Sequence, residues 1–406
     1  MTEHELLKDL LAQYMRDPGA LQDPYPLLAE ARQLGPAVEV WPGFWVVTGF
    51  DAATRVFQSD TISRAALAAK EVEVIAGSTA KGQQAGALFA RWFLNEDPPK
   101  HSQLRLLVSP AFRPRIIAEY SHWVDVIAAQ LIDRLVDLKE ADFLSEFARP
   151  LVHQVTCRIF GIPPEDEPIF LSWIDAIMEG NRSTLDGHGL KDLREGFIGM
   201  GGYLRDLVRS RYDNPGDGLI GSLITSEAAQ QKMNEDELVS SLQLLIAASH
   251  ETTVYLLTNG LYTMLRFGQP WNELRAEPAL LPRAVEECLR YEPPGRARPR
   301  IAIAPTVVEG IEIPQGAVAQ VHLGAANRDP KRFVDPDVFD ITRDLTNLAF
   351  GSGVHFCVGV HVAKLEGRLA FQRLSQKLDI ELAGEVRWKH TTHRALEALP
   401  VVVTAR

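Results

Sequence analysis

A single cysteine stands in the stretch that decides the fold, Phe350-Gly351-Ser352-Gly353-Val354-His355-Phe356-Cys357-Val358-Gly359. The glycines around it carry no Cβ and therefore allow a flat ligand to approach the backbone closely. The cysteine is expected to lie where a helix begins, and there the backbone N–H groups and the helix dipole favour a thiolate. The pattern predicts a sulfur ligand for a bound iron.

The composition is that of a globular protein and excludes several classes of function. The chain has 406 residues and a formal net charge of −11, which argues against a general nucleic-acid binder with a basic face. The chain contains no run of 18 or more apolar residues, so we expect no membrane span. The polar, acidic N-terminus lacks the basic-then-apolar order of a signal peptide. Three scattered cysteines are too few for a disulfide framework, so we expect a cytoplasmic protein with reduced thiols.

The hydrophobic pattern predicts a mainly α-helical chain with a small β-rich part, organised as one domain over residues 1–406. The longest helix is expected over about 238–265, with Asn234 as its N-cap and Glu237 completing a capping box. It is apolar on nearly every face and should run through the core. Residues 61–92 have poor periodicity and are expected to form a long irregular segment. The short strands predicted from the pattern are 37–41, 44–47, 301–303, 306–308, 311–313, 318–321, 380–382 and 401–403.

The stretch around Cys357 resembles the haem-binding loop of the cytochrome P450 family, whose pattern reads F-G-x-G-x-H-x-C-x-G. All six fixed positions of that pattern are matched. The resemblance covers almost the whole chain from about residue 20 and is loosest at 61–92 and 170–205, where the family's substrate-contacting segments lie. It implies the cytochrome P450 fold, with the long central helix over the haem, and it implies haem b as the cofactor and Cys357 as the iron ligand.

Further motifs stand at the positions that the resemblance predicts. Glu287 and Arg290 match the family's E-x-x-R motif, which supports the proximal side of the haem. Glu251 and Thr252 match the acid–alcohol pair of the long helix, which implies that they are catalytic residues delivering protons during oxygen activation. The residues that the resemblance assigns to haem binding are His101, Arg105, Ala248, Arg300, Phe350, Gly351, His355, Cys357 and Gly359.

Each of these motifs also has a simpler interpretation. A free cysteine is most often a buried structural thiol, and this is the interpretation we adopt for Cys157 and Cys288. A glutamate and an arginine three residues apart share a helix face anywhere. His101 and Arg105 also fit the start of an ordinary amphipathic helix. The Thr252 hydroxyl could bond back to the carbonyl four residues earlier.

Three further features bear on proton delivery and on the substrate. Ser249 stands where the family usually has glycine, so it narrows the oxygen groove and adds a hydroxyl. Gly295 replaces a bulkier residue and is expected to widen the cavity. Arg296 or Arg298 is a candidate for pairing with an acidic group of the substrate, and pairing with a haem propionate is the alternative, favoured for Arg298.

The resemblance implies a monooxygenase that takes two electrons from an external partner and oxidises a small organic substrate of specialised metabolism. The chain shows no flavin or iron–sulfur motif, so a small acidic ferredoxin is the expected donor. One alternative is a haem-thiolate catalyst of atypical outcome, such as ring formation, coupling or peroxide-driven oxidation. Another is a non-catalytic haem sensor or carrier, which would not need the Glu251–Thr252 pair. The candidate basic patch for the donor, or else an ordinary solvated face, comprises Arg105, Arg113, Arg115, Lys364 and Arg368.

Overall fold

The structure is a computed structural model that describes residues 3–17, 21–179, 187–344, 346–389 and 391–406. Residues 180–186, which belong to the loosely matched stretch 170–205, lie outside the described residues. The α-helices of the described part are α1 (Glu3–Arg16), α2 (Tyr25–Leu34), α3 (Phe50–Gln58), α4 (Ala65–Ala76), α5 (Ala80–Ala90), α6 (Lys100–Val108), α7 (Pro114–Glu119), α8 (Ser121–Leu138), α9 (Arg149–Phe160), α10 (Glu167–Glu179), α11 (Gly187–Ser210), α12 (Leu219–Ile224), α13 (Glu227–Lys232), α14 (Glu235–Phe267), α15 (Gln269–Ala276), α16 (Leu281–Tyr291), α17 (Leu323–Ala326) and α18 (Val360–Lys377). The strands are β1 (Ala37–Trp41), β2 (Phe44–Val47), β3 (Ile62–Ser63), β4 (Glu140–Asp142), β5 (Ala297–Ala302), β6 (Thr306–Val308), β7 (Ile311–Ile313), β8 (Val318–His322), β9 (Leu378–Leu382) and β10 (Pro400–Ala405).

The predicted long helix is α14, which has 33 residues and so spans about 50 Å at ~1.5 Å per residue. Its capping box is present: the Asn234 side chain accepts from the backbone N–H of Glu237, and the Glu237 carboxylate accepts from the N–H of Asn234. Most of α14 is buried, and it packs against α9, α11, α16 and α18. The predicted helix-rich fold with a core-spanning helix is confirmed. Within the described ranges, no helix is both long and apolar enough to cross a bilayer.

The largest sheet carries one side of the candidate site. Its five strands run in the order β1-β2-β8-β5-β3, with β2 and β8 parallel and the other neighbours antiparallel. The pairing of β5 with both β3 and β8 brings Arg298 and Arg300 close to Arg64, which directly follows β3. A smaller antiparallel sheet contains β4, β10 and β9, and β6 pairs with β7 alone. The single domain over residues 1–406 stays a prediction.

The prediction of a long irregular segment over 61–92 is wrong. This stretch contains β3, α4 and α5, and the two helices pack against each other. The Thr79 side chain caps α5 by accepting from the backbone N–H of Gly82 at 3.0 Å. Both helices are rich in alanine, which forms helices readily but gives only a weak contrast between buried and exposed faces. In this stretch, helix formation is therefore indicated by the helix propensity of alanine and not by a periodic pattern of apolar residues.

Candidate functional site

Backbone hydrogen bonds hold the loop before α18 in a tight turn that presents Cys357. The Cys357 N–H donates to the Phe350 carbonyl oxygen at 3.0 Å, and the Gly351 N–H donates to that of Leu348 at 2.8 Å. Gly351 has a φ of 72°, a conformation that suits glycine. The Phe350 ring is half-buried against the main core, 6.5 Å from the ring of Phe356. Cys357 does not open the helix as predicted, since α18 begins three residues later at Val360.

Gly353 fixes the same loop against α3. It has a φ of 70°, and a Cβ built on it would lie only 2.4 Å from the carbonyl oxygen of Phe57 at the end of α3. A side chain at this position would therefore both strain the backbone and collide with a neighbouring backbone. Gly353, a fixed position of the motif, therefore allows the loop to pack closely against α3.

The Cys357 thiol differs electrostatically from the other two cysteines. Burial raises the pKa of Cys357, but the Gly359 N–H donates to the sulfur, and the positive charges of Arg298 and Arg105 also favour the thiolate. Burial raises the pKa of Cys157 to about 12 and raises that of Cys288 further. Both of these thiols are buried, as expected for structural cysteines. Cys357, in contrast, is partly exposed.

A cluster of histidine and arginine side chains lies beside this loop. The rings of His101 and His355 are 4.1 Å apart, and burial lowers the pKa of His101 to about 4 and that of His355 to about 3. Burial and the nearby positive charges of Arg64 and Arg298 lower the pKa of Arg300 to about 9. Both ring nitrogens of His101, Nδ1 of His355 and Nη1 of Arg64 are buried without a hydrogen-bond partner. A neutral imidazole has one N–H donor, and buried polar atoms without partners are costly, so the cluster is suited to an anionic group that accepts from its N–H groups.

Arg105, whose role in haem binding stays a prediction, lies against the cysteine loop. Its Nη2 donates to the carbonyl oxygen of Phe356, immediately before Cys357. Burial lowers the pKa of Arg105, and the Cys357 sulfur opposes that change. Arg105 thus ties α6 to the cysteine loop in this structure.

The predicted catalytic pair lies on α14. The Thr252 hydroxyl donates to the Ala248 carbonyl oxygen at 3.0 Å, which is the backbone bond of the simpler interpretation. Burial raises the pKa of Glu251, and a hydrogen bond from the Tyr255 hydroxyl partly opposes this rise. Oε2 of Glu251 is 3.9 Å from Nδ1 of His393, whose pKa burial lowers to about 3. The carboxyl group is therefore held between two polar side chains.

Ser249 does not face open space. Its hydroxyl donates to the Ile246 carbonyl oxygen at 2.9 Å and lies 3.4 Å from the hydroxyl oxygen of Thr156 on α9. The extra hydroxyl therefore joins α14 to α9.

Glu287 and Arg290 form a fully buried pair, with both guanidinium–carboxylate contacts at 2.7 Å. Arg290 also donates to three carbonyl oxygens of the segment after α17, those of Asn327, Pro336 and Val338, at 2.7 to 3.1 Å. The pair thus fastens α16 to the segment that leads into the cysteine loop. This geometry fits the structural support expected of it.

One expectation about the substrate side is not met, and the pairing of Arg296 or Arg298 with the substrate stays a prediction. Arg296 is 5% exposed and lies with its guanidinium carbon 5.9 Å from the Tyr14 ring, where its Nη2 donates to the His393 carbonyl oxygen. Gly295 does not widen the cavity, because the Arg298 guanidinium fills the space beside it.

Comparison with known proteins agrees with this geometry. The family model described as Cytochrome P450 matches residues 202–401. The chain is 34% identical to cytochrome P450 monooxygenase PikC of Streptomyces venezuelae, covering 93% of this chain and 91% of that protein. It is 33% identical to 6-deoxyerythronolide B hydroxylase of Saccharopolyspora erythraea, covering 93% and 96%. The chain belongs to the cytochrome P450 family.

Solved structures extend the P450 likeness to the fold. The Bacillus subtilis 168 bacillaene polyketide synthase cytochrome P450 PksS matches with a TM-score of 0.83 at 31% identity, covering 94% of this chain and 97% of that one. The predicted P450 fold is thereby confirmed. The predicted enzyme class, a P450 monooxygenase, is confirmed by relatives that carry monooxygenase or hydroxylase names.

Haem is the cofactor that this family implies, and the residues present fit it. Cys357 offers a sulfur whose negative charge is favoured by the Gly359 N–H. The unsatisfied buried donors of His101 and His355 suit the carboxylates of haem propionates. On α14, Ala248 is exposed beside the buried Ala247 and the half-buried Ser249, so it borders a space that a flat cofactor could enter.

The structure brings four further residues to the site that the sequence reasoning did not assign to it. Arg64 lies in the stretch 61–92, which has poor periodicity, and it belongs to no recognised motif. Tyr255 and His393 surround Glu251, and only Tyr255 carries a sequence signal, since it lies four residues after Glu251 on the same helix. Phe57 meets Gly353 through its backbone, which no side-chain pattern can reveal.

Proposed function

We propose that this chain is a haem b monooxygenase in which Cys357 is the iron ligand and an external ferredoxin supplies the electrons. The reaction inserts one atom of dioxygen into a C–H bond of a small organic substrate of specialised metabolism. The other atom leaves as water, with two electrons from the donor and two protons. When bound, haem with a thiolate ligand supplies the activation of dioxygen. The observation that carries the proposal is the Cys357 sulfur, which accepts from the Gly359 N–H between two cationic side chains.

The chain's own part in the reaction is to hold protons and to position groups. The Glu251 carboxyl has a raised pKa, so it stays protonated to a higher pH than an exposed glutamate and suits proton delivery. Tyr255 and His393 orient it. The Thr252 hydroxyl uses its proton on the Ala248 carbonyl and keeps its oxygen lone pairs free to accept a hydrogen bond. We assign proton delivery to Glu251 and Thr252 on this geometry.

The donor surface is smaller than the sequence predicted. Lys364 pairs with Glu286, and Arg105 bonds to the cysteine loop, so neither is available as a free cation. The remaining predicted cations are exposed, and α7 packs against α18, which brings their helices together. We propose that an acidic ferredoxin docks on these residues, Arg113, Arg115 and Arg368.

Charge reversal tests the docking surface. A triple variant in which Arg113, Arg115 and Arg368 are each replaced by glutamate should have a raised KM for ferredoxin. The salt dependence of this KM should be weaker, while substrate binding to the ferric enzyme stays unchanged. Reversal of Arg387, which is 71% exposed, serves as the matched control and should change neither. An unchanged KM in the triple variant would place the donor elsewhere.

Isotope labelling tests the reaction class. In reductant-driven turnover under ¹⁸O-labelled dioxygen, the product should carry one labelled oxygen atom. Turnover with peroxide alone, at a rate equal to or above that with ferredoxin and reductant, would instead favour the peroxide-driven alternative. Ring formation or coupling without label would also contradict the proposal. The three free cysteines support a cytoplasmic location, which we propose for this enzyme.

A further inference from the structure

The guanidinium of Arg298 occupies the space that a side chain at residue 295 would fill. A Cβ built on Gly295 would lie 2.4 Å from Nη2 of Arg298 and 2.8 Å from its Cζ and Nη1. Any residue other than glycine would therefore push the guanidinium out of this position. The glycine at 295 and the arginine at 298 form one structural unit, which we call the 295/298 unit.

Arg298 has no acidic partner in the described part of the chain. Its side chain donates one hydrogen bond, from Nη1 to the carbonyl oxygen of the adjacent Ala297 at 2.9 Å, and forms no ion pair with a carboxylate there. Burial lowers the pKa of Arg298, and the positive charge of Arg64 lowers it further, while the Cys357 sulfur opposes both. Arg298 is half-buried, and a half-buried guanidinium without a carboxylate partner among the described residues is suited to binding an anion.

The propionates of a bound haem would have other partners available. A haem b carries two carboxylates, and the cluster beside the cysteine loop already offers four groups to them: His101, His355, Arg64 and Arg300. Arg298 is additional to this set. It is also close enough to His393 to contribute to the lowered pKa of that residue, and His393 lies 3.9 Å from the Glu251 carboxylate. The guanidinium thus borders the side of the site where proton delivery is proposed.

We propose that the 295/298 unit binds a carboxylate group of the substrate, so that the natural substrate is an organic acid. The inference rests on the proposed function, because it assigns a substrate class to the same site. Arg298 would bind the carboxylate, and Gly295 would leave the space that the guanidinium needs. A carboxylate paired with a guanidinium gains charge-assisted hydrogen bonds that an ester cannot form.

Binding titrations of the ferric, haem-loaded enzyme test this proposal. Each compound of a carboxylic-acid library is compared with its own methyl ester, with the low-to-high-spin shift and calorimetry as readouts. At least some acids should bind well above their esters. The Arg298→Gln variant should weaken binding of those acids by about 10- to 100-fold and leave the esters nearly unchanged, since a charged hydrogen bond is at stake. Arg298→Lys should restore part of the loss.

A second variant displaces the Arg298 guanidinium but keeps its positive charge. Gly295→Ala displaces the guanidinium and should weaken acid binding in the same selective way. Gly384→Ala is its matched control, because a Cβ built there meets nothing within 4 Å. Selective loss in Gly295→Ala but not in Gly384→Ala supports the role of the 295/298 unit.

Three outcomes would overturn the inference. Acids that bind no better than their esters, or a library in which no acid binds, would show that no carboxylate is recognised. Arg298→Gln that weakens acids and esters alike, and speeds haem loss to apomyoglobin, would make Arg298 a propionate ligand. Binding needs neither electrons nor dioxygen, so an enzyme that binds acids without oxidising them would contradict the proposed function and leave this inference standing.

Discussion

Replacing Gly353 with alanine tests how the cysteine loop is held against α3. At a φ of 70° an alanine costs about 1–2 kcal/mol more than glycine. The new Cβ would also lie 2.4 Å from the Phe57 carbonyl oxygen, and the loop and α3 must separate to relieve this contact. Such overpacking adds about 1–3 kcal/mol. We therefore expect Gly353→Ala to lower the free energy of unfolding by about 2–5 kcal/mol.

Gly316→Ala is the matched control for this prediction. Gly316 has a φ of 85° in the turn before β8, but a Cβ built there meets nothing within 4 Å. It should therefore cost only the backbone strain of about 1–2 kcal/mol. Urea unfolding followed by the Soret band and by far-ultraviolet circular dichroism measures both variants. Faster haem transfer to apomyoglobin is expected for Gly353→Ala alone. Equal losses in the two variants would refute the reasoning, because the collision with α3 would then contribute nothing.

Two further predictions concern the buried pair and the proton path. Arg290→Met leaves a buried carboxylate and three carbonyl oxygens without their partner and should lower the free energy of unfolding by about 3–5 kcal/mol, whereas Arg387→Met at an exposed ion pair should change it little in the same urea assay. Equal effects would contradict the structural role of Arg290. Tyr255→Phe removes a hydrogen bond that lowers the pKa of Glu251, so the alkaline limb of the turnover–pH profile should move to higher pH. Tyr262→Phe on the same helix is the control, and an unmoved limb in Tyr255→Phe would exclude Glu251 as the titrating acid.

The parts of the fold that the sequence could predict are those with local signals. The ten residues around Cys357 carry turn glycines, a cysteine and a histidine at fixed spacing, and the structure forms the turn that they imply. The capping box of Asn234 and Glu237 is equally local, and α14 begins where it predicts. Both cases depend on backbone geometry within a few residues, so no knowledge of distant contacts was needed.

The failures come from contacts between distant segments. Arg64 reaches the site only because β3 pairs with β5, and the alanine-rich stretch around it gave no periodic signal. Gly295 was expected to widen the cavity, since a missing side chain normally leaves space. That space is filled by Arg298, and only the path of the chain between residues 295 and 298 shows this.

The positions of Arg105 and Ser249 show a second limit. Both were interpreted from family positions, but the hydrogen bond that each forms is set by a backbone carbonyl nearby. Sequence spacing alone does not show which backbone carbonyl a side chain can reach in the folded chain.

The carbon-monoxide spectrum of the reduced enzyme tests the central claim, that the Cys357 sulfur is the ligand of a haem iron. The natural chain should show the red-shifted Soret band of thiolate coordination, Cys157→Ser should retain it, and Cys357→His should bind haem without it. Absence of the band from the natural chain, or its persistence in Cys357→His, would contradict the account.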